Sequence, residues 1–189
     1  LAALGISLPE GLRPPSLFAP AVQTGNLLYT SGHISRKDGK VIAGKLGRDM
    51  DVSQGQEAAR WAVIELLAGI KYAIGDLDRV KRCVRLGVFV NSADDFTDQP
   101  KVANGVSDLM VEVLGDAGKH ARAAVGSNVL PLNVAVEVDL ALDVVPAVAP
   151  SLGDLRRERL SLHHLLQPPP VLVPLLQPPL LDARAELMD

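Results

Sequence analysis

The sequence predicts an α+β fold, a mixed β-sheet with two helices packed on one face. Three observations carry this. Two segments place apolar residues at helical spacing, and each ends at a glycine. The segment Val134 to Val144 alternates strictly, apolar with polar or small. Strand-like runs fill the remainder, in the order hairpin, helix, strand, helix, strand, strand. That order gives every apolar stripe a partner when both helices share one face of one sheet.

The first strand runs from Leu27 to Ile34, after the turn pair Gly25-Asn26. It closes near Asp38-Gly39, a dipeptide suited to a tight hairpin, with Val41 to Gly44 as a short return strand. Asp51 or Ser53 can cap the first long helix. Its stripe is Ala59, Ala62, Val63, Leu66, Leu67, Ile70, Ala73 and Ile74, and Gly75 stops it. Trp61 lies off the stripe's centre, where it covers the helix edge.

Val80 to Asn91 reads as a strand. Alternation puts Arg82, Val84, Leu86, Val88 and Val90 on one side and Cys83, Arg85, Gly87 and Phe89 on the other. The first set, after Arg82, is expected to face the helices. A second helix spans Lys101 to Leu114, with Val102, Val106, Leu109, Met110 and Val113 as its stripe. Pro100 sits near its first turn and Gly115 at its end. His120 to Ser127 is the next strand. In the last, Val134, Val136, Val138, Leu140, Leu142 and Val144 face the core, while Ala135, Glu137, Asp139, Ala141 and Asp143 face away. The second sheet face mixes Arg85, Glu137 and Asp139 with Ala, Gly and Phe. It is too apolar to stay wet and too polar for a core, so it is expected to close against copies of the chain.

The chain has 189 residues and divides by composition. Residues 1–147 form the domain. Residues 148–189 are rich in Leu and Pro, and Leu-Leu-Gln-Pro-Pro recurs at 165–169 and 175–179. Repeated prolines remove backbone donors, so this tail is expected to be disordered apart from a short helix near Leu152 to Leu166. A polyproline docking segment is the alternative. Aromatic residues make up only 3% of the chain against 48% apolar, so the core must be aliphatic. A net charge of −3 argues against a nucleic-acid partner. No apolar run reaches the roughly 18–20 residues of a membrane span, so no membrane association is expected. The single cysteine, Cys83, fits a reducing compartment. The reading is a cytoplasmic protein, with an organelle left open because the sequence begins at Leu1 rather than Met.

The four histidines show no metal-ligand spacing, so no metal is expected. No glycine-rich phosphate loop stands before a helix, and no cofactor is expected. Cys83 lacks an evident activating base and reads as a half-buried filler. Arg122, flanked by small residues, and Glu137, on the side of its strand away from the apolar set, are candidates for chemistry. Taken alone they read equally as solvated strand charges or a mutual ion pair. Ser31 alone is a strand serine.

These residues stand in a recognisable order. Gly25-Asn26-Leu27-Leu28-Tyr29-Thr30-Ser31-Gly32-His33-Ile34 resembles the strand motif of the RidA (YjgF-type, endoribonuclease L-PSP-like) family of enamine and imine deaminases. Gly75-Asp76-Leu77-Asp78-Arg79-Val80 resembles its helix-to-strand turn. Phe89-Val90-Asn91 with Asp95-Phe96 resembles the segment before its second helix. Ala121-Arg122-Ala123-Ala124-Val125, Leu130-Pro131 and Val136-Glu137-Val138 resemble its C-terminal signature. The match covers roughly residues 15 to 146. It departs at Ala124, where deaminases usually carry Cys, at Phe18, where Tyr is common, and at His33, where Gln is usual. Insertions at 43–50 and 98–102 mark a divergent subgroup, in which Asn104 and Gly105 start the second helix.

The resemblance implies a chorismate-mutase-like fold and a homotrimer with a cleft between each pair of subunits. It implies hydrolysis of 2-imino or enamino acids to 2-oxo acids and ammonia. Arg122 would bind the substrate carboxylate as a planar fork, and Glu137 would handle water and proton. Phe18, Ser31, Gly32, Asn104 and Ala124 would line the substrate. The alternative is a trimer that binds small carboxylates without turning them over.

Overall fold

Helix α1 (Val52–Ile74) starts where the sequence can satisfy its free amides. Asp51 accepts from the Gln54 amide (2.8 Å) and Gln54 Oε1 accepts from the Asp51 amide (3.0 Å), a reciprocal capping box. Gly75, at positive φ, ends it. The computed structural model describes residues 1–9 and 18–145, all within the unit Leu1–Ala147. The Leu/Pro-rich segment and the short helix expected in it lie outside the described residues.

The strands are β1 (Ala21–Thr24), β2 (Leu27–Thr30), β3 (His33–Ile34), β4 (Arg36–Lys37), β5 (Lys40–Val41), β6 (Val80–Asn91), β7 (Ala121–Ser127) and β8 (Val136–Val144). Helices α2 (Gln99–Val102) and α3 (Asn104–Leu114) lie between β6 and β7. The main sheet has the order β1-β2-β8-β6-β7, with β3 also on β8, and is antiparallel except for the parallel β6–β7 pair. The helix-crossed connection from β6 to β7 is what allows that pair to be parallel. Strands β4 and β5 form a separate hairpin, turned by Asp38 and Gly39, both at positive φ. The expected α+β architecture is present. Leu28, Leu86, Val88, Val90 and the even-numbered residues of β8 are buried with the inner faces of α1 and α3. No helix among the described residues is long and apolar enough to cross a membrane.

Several expectations are corrected. A strand, β1, precedes Gly25-Asn26, so that pair turns a hairpin rather than merely opening a strand. The run Leu27 to Ile34 is two strands. Tyr29 pairs with Ala141 and His33 with Val138, so β8 advances three residues while its partner advances four. The extra residue is a bulge, bridged by Thr30, whose Oγ1 accepts from the Leu140 amide at 3.0 Å. The return strand is Lys40–Val41 rather than 41–44. The seventh strand begins at Ala121, and the last at Val136.

The expected phase of β6 fails at its start. Its register shifts between Val80 and Arg82 and again between Cys83 and Arg85. Each shift turns the following side chains over, so Cys83 is buried with Leu86 while Val84 is exposed. The second helix is interrupted at Ala103, where hydrogen bonding tightens to i+3. Ala73 lies exposed, off the buried stripe of α1. On that helix every residue from Ala62 to Ile70 is buried, because Leu1, Ile6 and Leu8 pack over its outer side.

Candidate functional site

Arg122 lies on the edge strand β7 opposite Leu86. Leu86 belongs to the helix-facing side, so the Arg122 side chain rises toward α2 and α3. There its Nη1 donates to Asn104 Oδ1 (3.0 Å) and Ser107 Oγ (2.9 Å), and its Nη2 donates to the Pro100 carbonyl (3.3 Å). All three acceptors are neutral. Among the described residues no carboxylate lies within ion-pair distance, and the residue is exposed. Its positive charge is therefore held in place without being cancelled. Ala124, two residues on, shares the face and packs against the core margin.

Glu137 occupies a different place. It pairs with Ile34 on one side and with Phe89 on the other, and Phe89 pairs with Val125. These positions belong to the sheet face without helices. The Glu137 carboxylate lies against the backbone of Gly32: a Cβ built there would fall 2.0 Å from Oε1. The bulge between β2 and β3 thus provides a seat that only glycine leaves open. Desolvation raises the Glu137 pKa above its ordinary value, and the nearby Asp139 charge adds to the effect.

Ser31 sits beside this seat. Its Oγ donates to the Ala19 carbonyl (2.7 Å) and its amide to Pro20 (2.9 Å). The hydroxyl proton is committed within the chain, which leaves the oxygen as an acceptor. Phe18 is exposed at the start of the same stretch. His33 anchors the seat from the core side: its Nδ1–H donates to the Ser31 carbonyl (3.0 Å) and its Nε2 edge lies on Gly69 of α1. Burial lowers its pKa.

The predicted residues thus fall into two groups. Arg122, Asn104 and Ala124 come together at the β7 edge. Glu137, Gly32 and Ser31 come together on the open sheet face. Within one chain the sheet separates Arg122 from Glu137. The sequence reading missed two members of the first group, Ser107 and His120. His120 Nε2 lies 3.0 Å from Ser107 Oγ, and its Nδ1 donates to the Gly118 carbonyl. Their spacing is compatible with such a group, since Ser107 is three residues from Asn104 on one helix face and His120 is two from Arg122, but spacing alone does not aim them at the arginine.

The open face carries exposed Val22, Tyr29, Phe89 and Val125. It also carries Arg85 and Asp139, 3.6 Å apart.

A mixed sheet backed by two helices, with an uncompensated arginine on its edge strand and a glycine-seated glutamate on its open face, fits one class of protein. The chain belongs to the family described as "YjgF/chorismate_mutase-like, putative endoribonuclease", whose pattern matches residues 1–144. It is similar to Protein TCP17 of Trypanosoma cruzi, with 44% identity over 146 residues, 76% of this chain and 91% of that one. Among solved structures it is similar to Atu1372 of Agrobacterium tumefaciens, described as of unknown function. The identity is 40%, the TM-score 0.71, and the match covers 76% of this chain and 89% of that one. A Shewanella oneidensis MR-1 protein described as a "putative endoribonuclease" gives 35% identity and a TM-score of 0.72 over 76% and 95% of the two chains.

Proposed function

We propose that this protein hydrolyses reactive 2-imino and enamino acids, such as 2-aminoacrylate, to 2-oxo acids and ammonia, in clefts between the subunits of a homotrimer. The observation that carries the reading is Arg122, an exposed guanidinium oriented by three neutral acceptors. Such a group is ready for a carboxylate, which it can take through two parallel hydrogen bonds. Binding the carboxylate sets the adjacent C=N carbon at a fixed place, and positioning of that kind supplies much of the acceleration for a labile imine.

Glu137 supplies the proton chemistry. Its carboxylate takes a proton from the water adding to the imine carbon and passes it to the nitrogen, then takes the carbinolamine hydroxyl proton and passes it to the departing nitrogen, so that the water oxygen ends on the ketone and both its protons on ammonia. A raised pKa brings it nearer the working pH, where a shuttle needs it. Because Arg122 and Glu137 face opposite sides of one sheet, this mechanism requires a neighbouring copy to bring its own open face to the β7 edge. The exposed apolar residues of that face support such closure.

A carboxylate-binding trimer without turnover is the second reading. It is favoured by the Arg122 group being complete without Glu137. RNA cleavage draws less support from a chain of net charge −3, since backbone binding rests on clustered cations.

The test uses an amino-acid oxidase to generate imines in situ. Wild type is expected to accelerate their loss and Arg122→Ala to abolish the acceleration. Wild-type rates equal to buffer would end the deaminase reading. Binding of 2-oxo acids without hydrolysis, indifferent to Glu137→Gln, would establish the second.

A further inference from the structure

We infer that Ser107 and His120 are positioning residues that hold Arg122 so that a carboxylate meets its Nε–Nη2 edge. The inference rests on the reading of Arg122 as a carboxylate receptor.

The hydrogen-bond directions follow from chemistry. A guanidinium only donates, so Ser107 Oγ accepts from Arg122 Nη1 (2.9 Å). The serine proton must then point elsewhere, and His120 Nε2 stands 3.0 Å away. The other ring nitrogen, Nδ1, faces the Gly118 carbonyl, which only accepts. The ring proton therefore belongs on Nδ1, leaving the Nε2 lone pair for the serine hydroxyl. The chain runs one way: Arg122 to Ser107 to His120 to the Gly118 carbonyl.

The fold holds both ends of this chain. Gly118 lies in the turn after α3, so close to it that a Cβ would fall 2.2 Å from the Met110 carbonyl. His120 leads into β7, and Ser107 is one turn into α3. Three separate segments are therefore tied to one guanidinium, and His120 does this although it touches no candidate substrate position.

The consequence is a choice of edge. Asn104 and Ser107 take both protons of Nη1, and Pro100 takes one of Nη2. Of five N–H groups, the two left among the described contacts are Nε–H and one on Nη2. With the Pro100 bond assigned to the Nη2 proton that faces Nη1, Nε–H and the Nη2 proton beside it remain as a side-on fork for two carboxylate oxygens. Without Ser107 the Nη1 end keeps only Asn104, so the guanidinium can turn and the fork is less firmly pre-formed.

The test measures two quantities on the full chain: KM and kcat for imines made in situ, and the Kd of 2-oxobutanoate by calorimetry. Ser107→Ala is expected to raise KM and Kd together, by about three- to tenfold, the effect of loosening one orienting hydrogen bond, with kcat nearly unchanged. Ser107→Thr, which keeps the hydroxyl, should restore both. His120→Ala should act in the same direction, and the Ser107→Ala/His120→Ala pair should be no worse than Ser107→Ala, because one chain is broken only once. In an Arg122→Lys background, which has no fork, Ser107→Ala should have no further effect.

If Ser107→Ala matches wild type in Kd, or if its loss persists in the Arg122→Lys background, the inference is overturned. It is also overturned if wild type binds no 2-oxo acid. If wild type binds the acid and Ser107→Ala weakens it while no imine is hydrolysed, the inference stands and the deaminase reading alone falls.

Discussion

Gly32 and Glu137 show how one missing atom makes room for a carboxylate. The Gly32 Cα–H is all that fits beside the carboxylate, and an added methyl would meet Oε1 at 2.0 Å. Because a side chain can swing aside more easily than backbone, Gly32→Ala should cost less than about 1 kcal/mol of stability. It should nevertheless lower kcat by about tenfold or more through the displaced carboxylate. Urea unfolding and imine turnover would separate the two effects; equal kcat in the variant would show that the seat is not used. Cys83 illustrates the opposite case of a reactive group made inert. Burial pushes its thiol up to about 11, only partly offset by Arg82. Native protein at pH 8 is expected to resist iodoacetamide and to react once unfolded. Mass spectrometry showing fast native alkylation would contradict the burial of that side chain. At this scale residue type made Arg122 and Glu137 candidates, and the family resemblance singled them out. The sequence could not reveal Ser107 and His120 as partners of Arg122, because those contacts depend on how α3 lies over β7.

At the scale of elements, α1 and α3 approach so closely that a Cβ on Gly105 would lie 2.2 Å from the Gln56 carbonyl. That neighbour is backbone and cannot yield. Gly105→Ala is expected to destabilise the domain by about 1–3 kcal/mol, read from the urea midpoint at unchanged slope. The packing of β3 on α1 carries a pH dependence. Burial lowers the His33 pKa from 6.5, so below that value the unfolded chain binds a proton the folded chain resists. The His33 contribution is therefore full above 6.5 and declines as pH falls toward the lowered folded value. Glu65 and Glu137 act with opposite sign: burial raises both, so they favour folding as pH falls through their raised values toward 4.5. His33→Gln isolates the histidine and should flatten the loss of stability just below pH 6.5. An unchanged slope there would remove His33 as its source. The elements themselves were largely legible, since a helical stripe or an alternating strand is a property of neighbouring residues. The strand phases in β6 and the break between β2 and β3 were not, because a bulge is defined by the partner strand.

At the scale of the whole molecule, the proposed mechanism rests on the open sheet face. Val22, Tyr29, Phe89 and Val125 are exposed there, on the same face as Glu137. The proposed homotrimer should appear in sedimentation velocity. Val125→Asp, placing a charge on that face at the β7 edge, should shift it to monomer and abolish turnover while the circular dichroism spectrum persists. A fully active monomer would show that Arg122 acts without a neighbour's Glu137.

The amino-acid sequence by itself determined the α+β class, the helices and most strands. Those depend on periodicity and residue chemistry, which are local. Only the tertiary structure decided that Arg122 and Glu137 lie on opposite sides of the sheet, and that Ser107 and His120 stand behind the arginine. The physical reason is register: a single extra residue turns every later side chain over, and what specifies that residue is the strand across the ladder.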